Sequence, residues 1–263
     1  MLSIDEDITL SQRFECKYLI SPMIVSSVRE FIQPFMQPDH FAIRLDGYRY
    51  PICSLYLDSA DLALYQQTVS GHKNRFKLRV RSYSDVSNDP VFFEVKRKFN
   101  NIVQKRRAML SREQADKMLD NCFGDWVHDL PSDLLSDVDY FGNHSRFADA
   151  KPVVKVRYQR EAYESKGGDP VRITIDTDLM HAITLGNDLS FRKGRWVNTP
   201  VDGVILEFKF TGRFPDWVHD MVQLFGLKQQ PVPKYIMSVD HILMAGRESA
   251  LAVAGFTLPP RRV

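Results

Sequence analysis

Nowhere in its 263 residues does this sequence carry a run of about eighteen apolar residues, so no segment is expected to cross a membrane unaided. Cysteine is scarce. Cys16, Cys53 and Cys122 lie far apart and never in a C-x-x-C spacing, which argues against a disulfide frame or a thiolate zinc site. They read as buried thiols in a reducing compartment. The opening residues Met1–Asp7 are acidic and lack an apolar stretch, so no secretory signal is expected and a cytoplasmic location is. No Gly/Ser-rich or Pro-rich linker and no repeat divides the chain, which is therefore taken as a single domain over residues 1–263. The seven histidines fall without H-x-x-x-H or H-x-H spacing and read as surface or satisfied core residues. G-x-G-x-x-G and the nucleophile elbow are both missing. Excess charge of one sign is also missing, since 35 Lys and Arg face 33 Asp and Glu for a net +2. That balance argues against a nucleic-acid binder and leaves only the placement of the charges to speak.

What is present is the composition of a folded protein, 44% apolar and 26% charged. Alternation predicts strands at about 12–20, 48–57, 75–83, 91–98, 102–110, 152–163, 170–177 and 203–211, with a weaker one near 188–197. Ser21-Pro22 predicts a helix start running to about Phe35. A further helix is expected from Ser59 to about Ser70, and Ser111-Arg112-Glu113-Gln114 is a capping box for another to about Phe123. Residues 124–150 read as helical or irregular, and late helices are expected at about 214–225 and 234–245. Turns fall at Asp85–Pro90 and Gly167–Pro170. Strands joined by turns, with helices inserted unevenly, indicate an α+β fold with a largely antiparallel sheet. About eight strands are enough to close into a barrel.

The unusual feature is what occupies the polar faces. Period two places Lys77, Arg79 and Arg81 on one face, opposite Phe76, Leu78 and Val80. Glu94, Lys96 and Lys98 share a face, as do Val103, Lys105, Arg107 and Met109. Arg13, Glu15 and Lys17 align on the first strand, and Glu207 and Lys209 alternate with Leu206, Phe208 and Phe210. Arg172, Thr174 and Asp176 alternate with Val171, Ile173 and Ile175. Such faces are either the solvent side of a one-sided sheet or the lining of a closed barrel. Side-by-side bases repel, and a cage of them calls for a polyanion. Phosphate chains suit both Arg forks and Lys point charges, and the interspersed carboxylates suit Mg²⁺ or Mn²⁺. Alternation does not choose between the two arrangements. At 153–161 it also leaves open whether Lys155 and Arg157 or Tyr158 and Arg160 share the basic face.

In order, the motifs Arg13-Phe-Glu-Cys-Lys17-Tyr, Ser54-Leu-Tyr-Leu-Asp58-Ser, Lys77-Leu-Arg79-Val-Arg81-Ser-Tyr and Phe93-Glu94-Val-Lys96-Arg-Lys resemble the VTC domain. This is the catalytic module of polyphosphate polymerases within the triphosphate tunnel (CYTH-like) superfamily. Val103-Gln-Lys105-Arg-Arg107, Tyr158-Gln-Arg160-Glu-Ala-Tyr163, Arg172-Ile-Thr-Ile-Asp176, Leu206-Glu207-Phe-Lys209 and Lys234-Tyr-Ile-Met-Ser238 continue the resemblance to about Asp240. It implies a closed antiparallel barrel of about eight strands forming a tunnel, with helices packed outside. The implied activity is phosphoryl transfer from a nucleoside triphosphate to a polyphosphate chain, with inorganic tripolyphosphatase or a non-catalytic polyphosphate or nucleotide sensor as the alternatives. Carried over by position, Lys17, Arg79, Arg81, Lys96, Arg160 and Arg172 are the implied catalytic cations. Lys77, Lys105, Arg107, Lys209 and Lys234 are the implied further phosphate ligands. Glu207 is the implied ligand of Mn²⁺ or Mg²⁺, with Glu15 and Glu94 in reserve. One departure stands out: where tunnel triphosphatases open with Glu-x-Glu-x-Lys, this chain has Arg13, which weakens a two-metal hydrolytic reading. The appended membrane domain of eukaryotic polymerases is not seen here, so a separate membrane protein is the expected partner for moving product.

Overall fold

The computed structural model describes residues 13–100, 102–121, 124–167, 170–184, 186–246, 251–252 and 255–257. Cys122 and the Gly168-Asp169 pair of the predicted turn lie outside them, and of Arg13 only the backbone is described. The strands are β1 (Arg13–Ile20), β2 (Met36–Pro38), β3 (Arg49–Asp58), β4 (Asn74–Ser82), β5 (Val91–Phe99), β6 (Ile102–Leu110), β7 (Lys151–Ser165), β8 (Val171–Ile183), β9 (Val197–Asn198) and β10 (Val204–Thr211). The helices are α1 (Val25–Ile32), α2 (Ala63–Val69), α3 (Arg112–Asp120), α4 (Ser132–Phe147), α5 (Asp216–Leu224) and α6 (Lys234–Met244). No helix among the described residues is long and apolar enough to cross a membrane.

Local chemistry accounts for the boundaries. The Ser111 side chain accepts from Gln114 N while the Gln114 side chain accepts from Ser111 N, a closed capping box at the start of α3. Ser21 caps as expected, but it caps a single 3-10 turn, Pro22–Ile24, before α1 begins. The weak candidate near 188–197 shrinks to the two residues of β9, because Lys155 draws that segment into a loop through the Asp188 carboxylate and the carbonyls of Ser190 and Lys193. Between Val201 and β10, Gly203 has φ +128, and a Cβ there would meet the Ile20 carbonyl oxygen at 2.5 Å. Only glycine lets the chain pass so close to β1.

The chain divides into two compact units. The first comprises residues 1–51, 158–179 and 200–233, the second residues 52–157, 180–199 and 234–263. In the first, β10 lies between β1 and β8, with Lys17 opposite Glu207 and Glu207 opposite Thr174. The apolar faces of these strands bury Tyr18, Ile20, Ile173, Leu206 and Phe208 against Val28 and Ile32 of α1 and Val218 and Met221 of α5. In the second, β4, β5 and β6 form an antiparallel meander beside β3. Its apolar face buries Leu55, Leu78, Val80, Phe93, Val95 and Leu110 under Met118 of α3 and Val138 and Phe141 of α4. In both units the alternation read from the sequence decides which face is dry.

The expected closure into a barrel is not found. Among the described residues the strand order is β1-β10-β8-β7-β3-β4-β5-β6, with β2 added on β7 and β9 on β8, and the end strands β1 and β6 do not pair. The fold is α+β with an open ten-stranded sheet. The physical reason lies in the charges that favoured closure. Repulsion among neighbouring bases does not by itself require closure: buried carboxylates, Glu94 above all, offset part of it within the sheet face, and nothing in the strand pattern brings β1 to β6.

Candidate functional site

The second unit builds a basic row across four strands. Register places Tyr56 opposite Arg79, Arg79 opposite Glu94, and Glu94 opposite Arg107. One step along, Lys77, Lys96 and Lys105 stand side by side, and one step the other way Arg81 lies opposite Ser54 and Phe92. Glu94 is fully buried and serves as the counter-ion of the row. Its Oε2 accepts from Arg79 Nε at 2.6 Å, and its Oε1 accepts from Arg107 Nε at 2.8 Å and from Lys105 Nζ at 2.6 Å. Burial would raise the Glu94 carboxyl, but Arg79, Arg81, Lys105 and Arg107 outweigh it and hold the group far below the usual carboxylate range. Lys105 is pushed the other way, down to about 7, by desolvation and by Arg79 and Arg107, against the pull of Glu94. Its side chain is still 39% exposed, so the ammonium is crowded by cations without being sealed from water. Arg81 is buried, with Nε donating to Ser54 Oγ at 3.3 Å. Arg107 also lies over the Phe92 ring, 4.5 Å from its centroid.

The first unit builds a more balanced set. Lys209 Nζ lies 2.5 Å from Glu207 Oε1, and Lys17 Nζ reaches both Glu15, at 2.7 Å, and Glu207 Oε2, at 3.7 Å. Glu207 is buried, and the Oγ1 of cross-strand Thr174 is buried with no hydrogen-bond partner among the described residues. Arg160 is buried against Asp176, donating from Nε at 2.6 Å and Nη2 at 2.7 Å to its two oxygens. Burial opposes the Arg160 charge, but Asp176 and Tyr158 overcome it and keep the guanidinium firmly protonated. Arg172 Nη2 donates to Asp39 Oδ2 at 2.6 Å, and the buried Asp39 also accepts from Ala42 N.

The chain's own residues thus fall into two groups. Arg79, Arg81, Lys77, Lys96, Lys105 and Arg107 assemble around Glu94 in the second unit. Lys17, Lys209, Arg160 and Arg172 assemble with Glu15, Glu207 and Asp176 in the first. Lys234, in the second unit, opens α6 beside the buried Tyr235, whose hydroxyl donates to Asp58 Oδ2 at 2.6 Å. Of the open pair at 153–161, Arg160 joins the carboxylates, while Lys155 and Arg157 instead hold the 188–196 loop and flank Trp196. The sequence assigns no role to Tyr56, Ser54, Thr174 or Asp39. For the first three the signal was there, since each alternates in step with a residue of the basic faces; Asp39 sits in a short irregular stretch with no period to read.

A VTC domain model matches residues 12–243. The chain belongs to the VTC domain family. This VTC domain has no match among curated proteins. Among solved structures it is similar to the PH1819 protein from Pyrococcus horikoshii OT3, with 14% identity and a TM-score of 0.43 over 89% of this chain and 99% of that one. It is similar also to HpAC1 from Hippeastrum, described as having a dominant triphosphatase activity, with 13% identity and a TM-score of 0.49 over 90% of this chain and 96% of that one. Both are distant likenesses.

For a divalent ion, the donor set separates the three expected carboxylates. Glu94 does not fit, because it is fully buried and Arg79, Arg107 and Lys105 all hold it within 2.8 Å, whereas Glu207 has one close cation and a second only at 3.7 Å from Oε2. Glu207, Glu15 and the Thr174 hydroxyl do fit: they are hard oxygen donors on one sheet face, which suits Mg²⁺ or Mn²⁺ completing its shell with phosphate and water. No group of three or more His, Cys, Asp or Glu residues able to hold a metal occurs among the described residues, so an all-protein cage is not what this site offers.

Proposed function

We propose that this VTC domain transfers the terminal phosphoryl group of a nucleoside triphosphate to the end of a polyphosphate chain. Family membership supports the coarser statement, chemistry on polyphosphate or triphosphate. The observation that carries the finer one is the excess of cations in the β4–β6 face, where Lys77, Arg79, Arg81, Lys96, Lys105 and Arg107 surround the single carboxylate Glu94. Fixed Arg forks and Lys charges of this kind neutralise the equatorial oxygens of a transferring phosphoryl group without reorganising. The acceptor, a phosphate-chain end, is already anionic, so no general base is required, and the rate comes from alignment and charge stabilisation. Within the first unit, Glu207, with Glu15 and Thr174, would hold Mn²⁺ or Mg²⁺, which would supply charge neutralisation to phosphate oxygens bound there. Lys17 and Lys209, each ion-paired to these carboxylates, keep them oriented and would turn to phosphate oxygens when a chain enters. A separate membrane protein as partner belongs to the same proposal.

The test is to incubate purified protein with ATP and Mn²⁺ and resolve polymer from free phosphate. Polymer is the expected product. Free phosphate alone would mean a hydrolase, and neither product would mean a binding module. Glu207→Gln should lose metal-dependent turnover while its affinity for tripolyphosphate is kept or tightened, since a negative charge is gone. Unchanged turnover would take Glu207 out of the metal site.

A further inference from the structure

The Tyr56 hydroxyl is buried, and its proton has no acceptor among the described residues. The residue is 7% exposed, and its one hydrogen bond there is received from Arg79 Nη1 at 3.5 Å, which leaves the phenolic proton unspent. The side chain is held firmly all the same. Its ring stacks on Tyr235 with centroids 4.9 Å apart and planes 19° from parallel. Tyr235 is fixed in turn by its bond to Asp58, whose oxygens also take the backbone N–H groups of Ser59, Leu64 and Tyr65. The anion within the row, Glu94, is committed to Arg79, Lys105 and Arg107, and Asp58 on the same strand to Tyr235 and three backbone N–H groups. A rigid donor thus stands in a basic row with nothing to give its proton to. A buried donor whose proton meets no acceptor in a native fold marks a place where a partner can be received.

We propose that Tyr56 is a further ligand of the phosphate chain, its hydroxyl donating to a phosphoryl oxygen held by Arg79 and Arg81. The inference rests on reading the β4–β6 face as phosphate-binding and adds to it a neutral donor that none of the motif arguments supplied. A neutral phenol adds a hydrogen bond without adding another repelling charge to an already crowded row. The charges around it agree. Burial would raise its pKa, yet Arg79, Arg81 and Lys77 bring it down to about 8. The other groups facing this row are Asp58 on β3 itself, Glu94 and Lys96 on β5, Lys105 and Arg107 on β6, the Tyr235 hydroxyl on α6, and Tyr83 just after β4, whose phenol burial would raise but Arg81 and Arg107 bring down. A bound phosphate cancels the cations and restores the proton to Tyr56, so above about pH 8 binding takes up a proton at this residue. Lys105 also takes one up on binding, at lower pH, but it has no tyrosinate absorbance and the two can be told apart.

The experiment follows tyrosinate absorbance of the full chain between about pH 7 and 9.5, with and without tripolyphosphate, alongside tripolyphosphate affinity in parent and Tyr56→Phe. The expected result is a step near pH 8 in the parent that tripolyphosphate moves upward and that Tyr56→Phe removes, any contribution of Tyr83 staying in both proteins. The variant keeps the ring stack and should bind tripolyphosphate roughly ten- to a hundredfold more weakly at pH 7, the range for one hydrogen bond to a charged group. A step that tripolyphosphate leaves in place, or a variant that binds within twofold of the parent, would overturn the inference while leaving the phosphate reading of the face intact. A parent that does not bind tripolyphosphate at all would overturn both. The displacement is measured on the parent, so the result does not depend on the variant folding.

Discussion

Replacing Glu94 by Gln keeps the shape of the side chain and removes the charge on which three cations converge. The carboxylate is fully buried and accepts from Arg79, Arg107 and Lys105 within 2.8 Å. Breaking a buried ion pair by deleting one partner costs about 3–5 kcal/mol, because the other charge is left uncompensated. Here three cations are left, though Lys105 and Arg107 are partly exposed and water recovers part of the loss, so the same range serves for the whole cluster. For a chain of this size each kcal/mol moves the melting temperature by roughly 2–4 °C, so Glu94→Gln should melt roughly 6–20 °C below the parent. The dependence on pH has a definite sign. The folded Glu94 carboxyl sits far below its ordinary value of 4.5, so its stabilisation is fully present above that value and is lost as the pH falls below it. The gap between parent and variant should therefore be widest at neutral pH and should shrink in acid. Tripolyphosphate should raise the melting point of the variant more than that of the parent, since an added anion replaces the missing one. Differential scanning calorimetry at pH 7 and pH 4, with and without tripolyphosphate, measures all three. Equal melting temperatures at pH 7 would refute the counter-ion role of Glu94.

Lys105 has a folded pKa near 7 against an ordinary 10.5, so the unfolded chain binds the extra proton between those values and stability should rise with pH across that window. Lys105→Met should flatten that rise in chemical denaturation. Tripolyphosphate affinity in the parent should fall as the pH climbs above about 7, as Lys105 loses its proton. Gly203→Ala would drive a Cβ onto the Ile20 carbonyl oxygen at a φ of +128, and a loss of more than about 1 kcal/mol in urea unfolding is expected. A variant as stable as the parent would mean that the turn relaxes freely.

The strands and their dry faces were legible because period two is a local signal. Phe76, Leu78 and Val80 had to share a face whatever the rest of the chain did, and the structure buries Leu78 and Val80 completely. Closure was not legible, because it depends on whether the end strands β1 and β6 meet, and no residue pattern within a strand encodes that. The inference from like-charge repulsion went astray at Glu94. Single-strand alternation sets it beside Lys96 and Lys98, as a reserve metal ligand, whereas the register sets it between Arg79 and Arg107, where it offsets the row from within. Arg160 was placed by family motif rather than by alternation, and the reason is visible in Asp176: its partner lies across the sheet, beyond the reach of a single-strand pattern. Tyr56 and Thr174 take no role from the sequence because uncharged hydroxyls on a basic face look like ordinary strand residues until their burial is known.

The pairing of β1 with β10 also bears on the order in which the chain can fold. Arg13 lies opposite Thr211 and Ile20 opposite Val204, a separation of about 190 residues. At typical rates of roughly 5–20 residues per second, the ribosome needs about 10–40 s to make β10 once β1 has emerged. The β4–β5–β6 meander faces no such wait, since its three strands are consecutive and their contacts close over short loops. The second unit can therefore start to assemble while the first still lacks its central strand. Over that interval Tyr18 and Ile20 have no Leu206 or Phe208 to pack against, which makes the early N-terminal segment the natural client of a chaperone during synthesis.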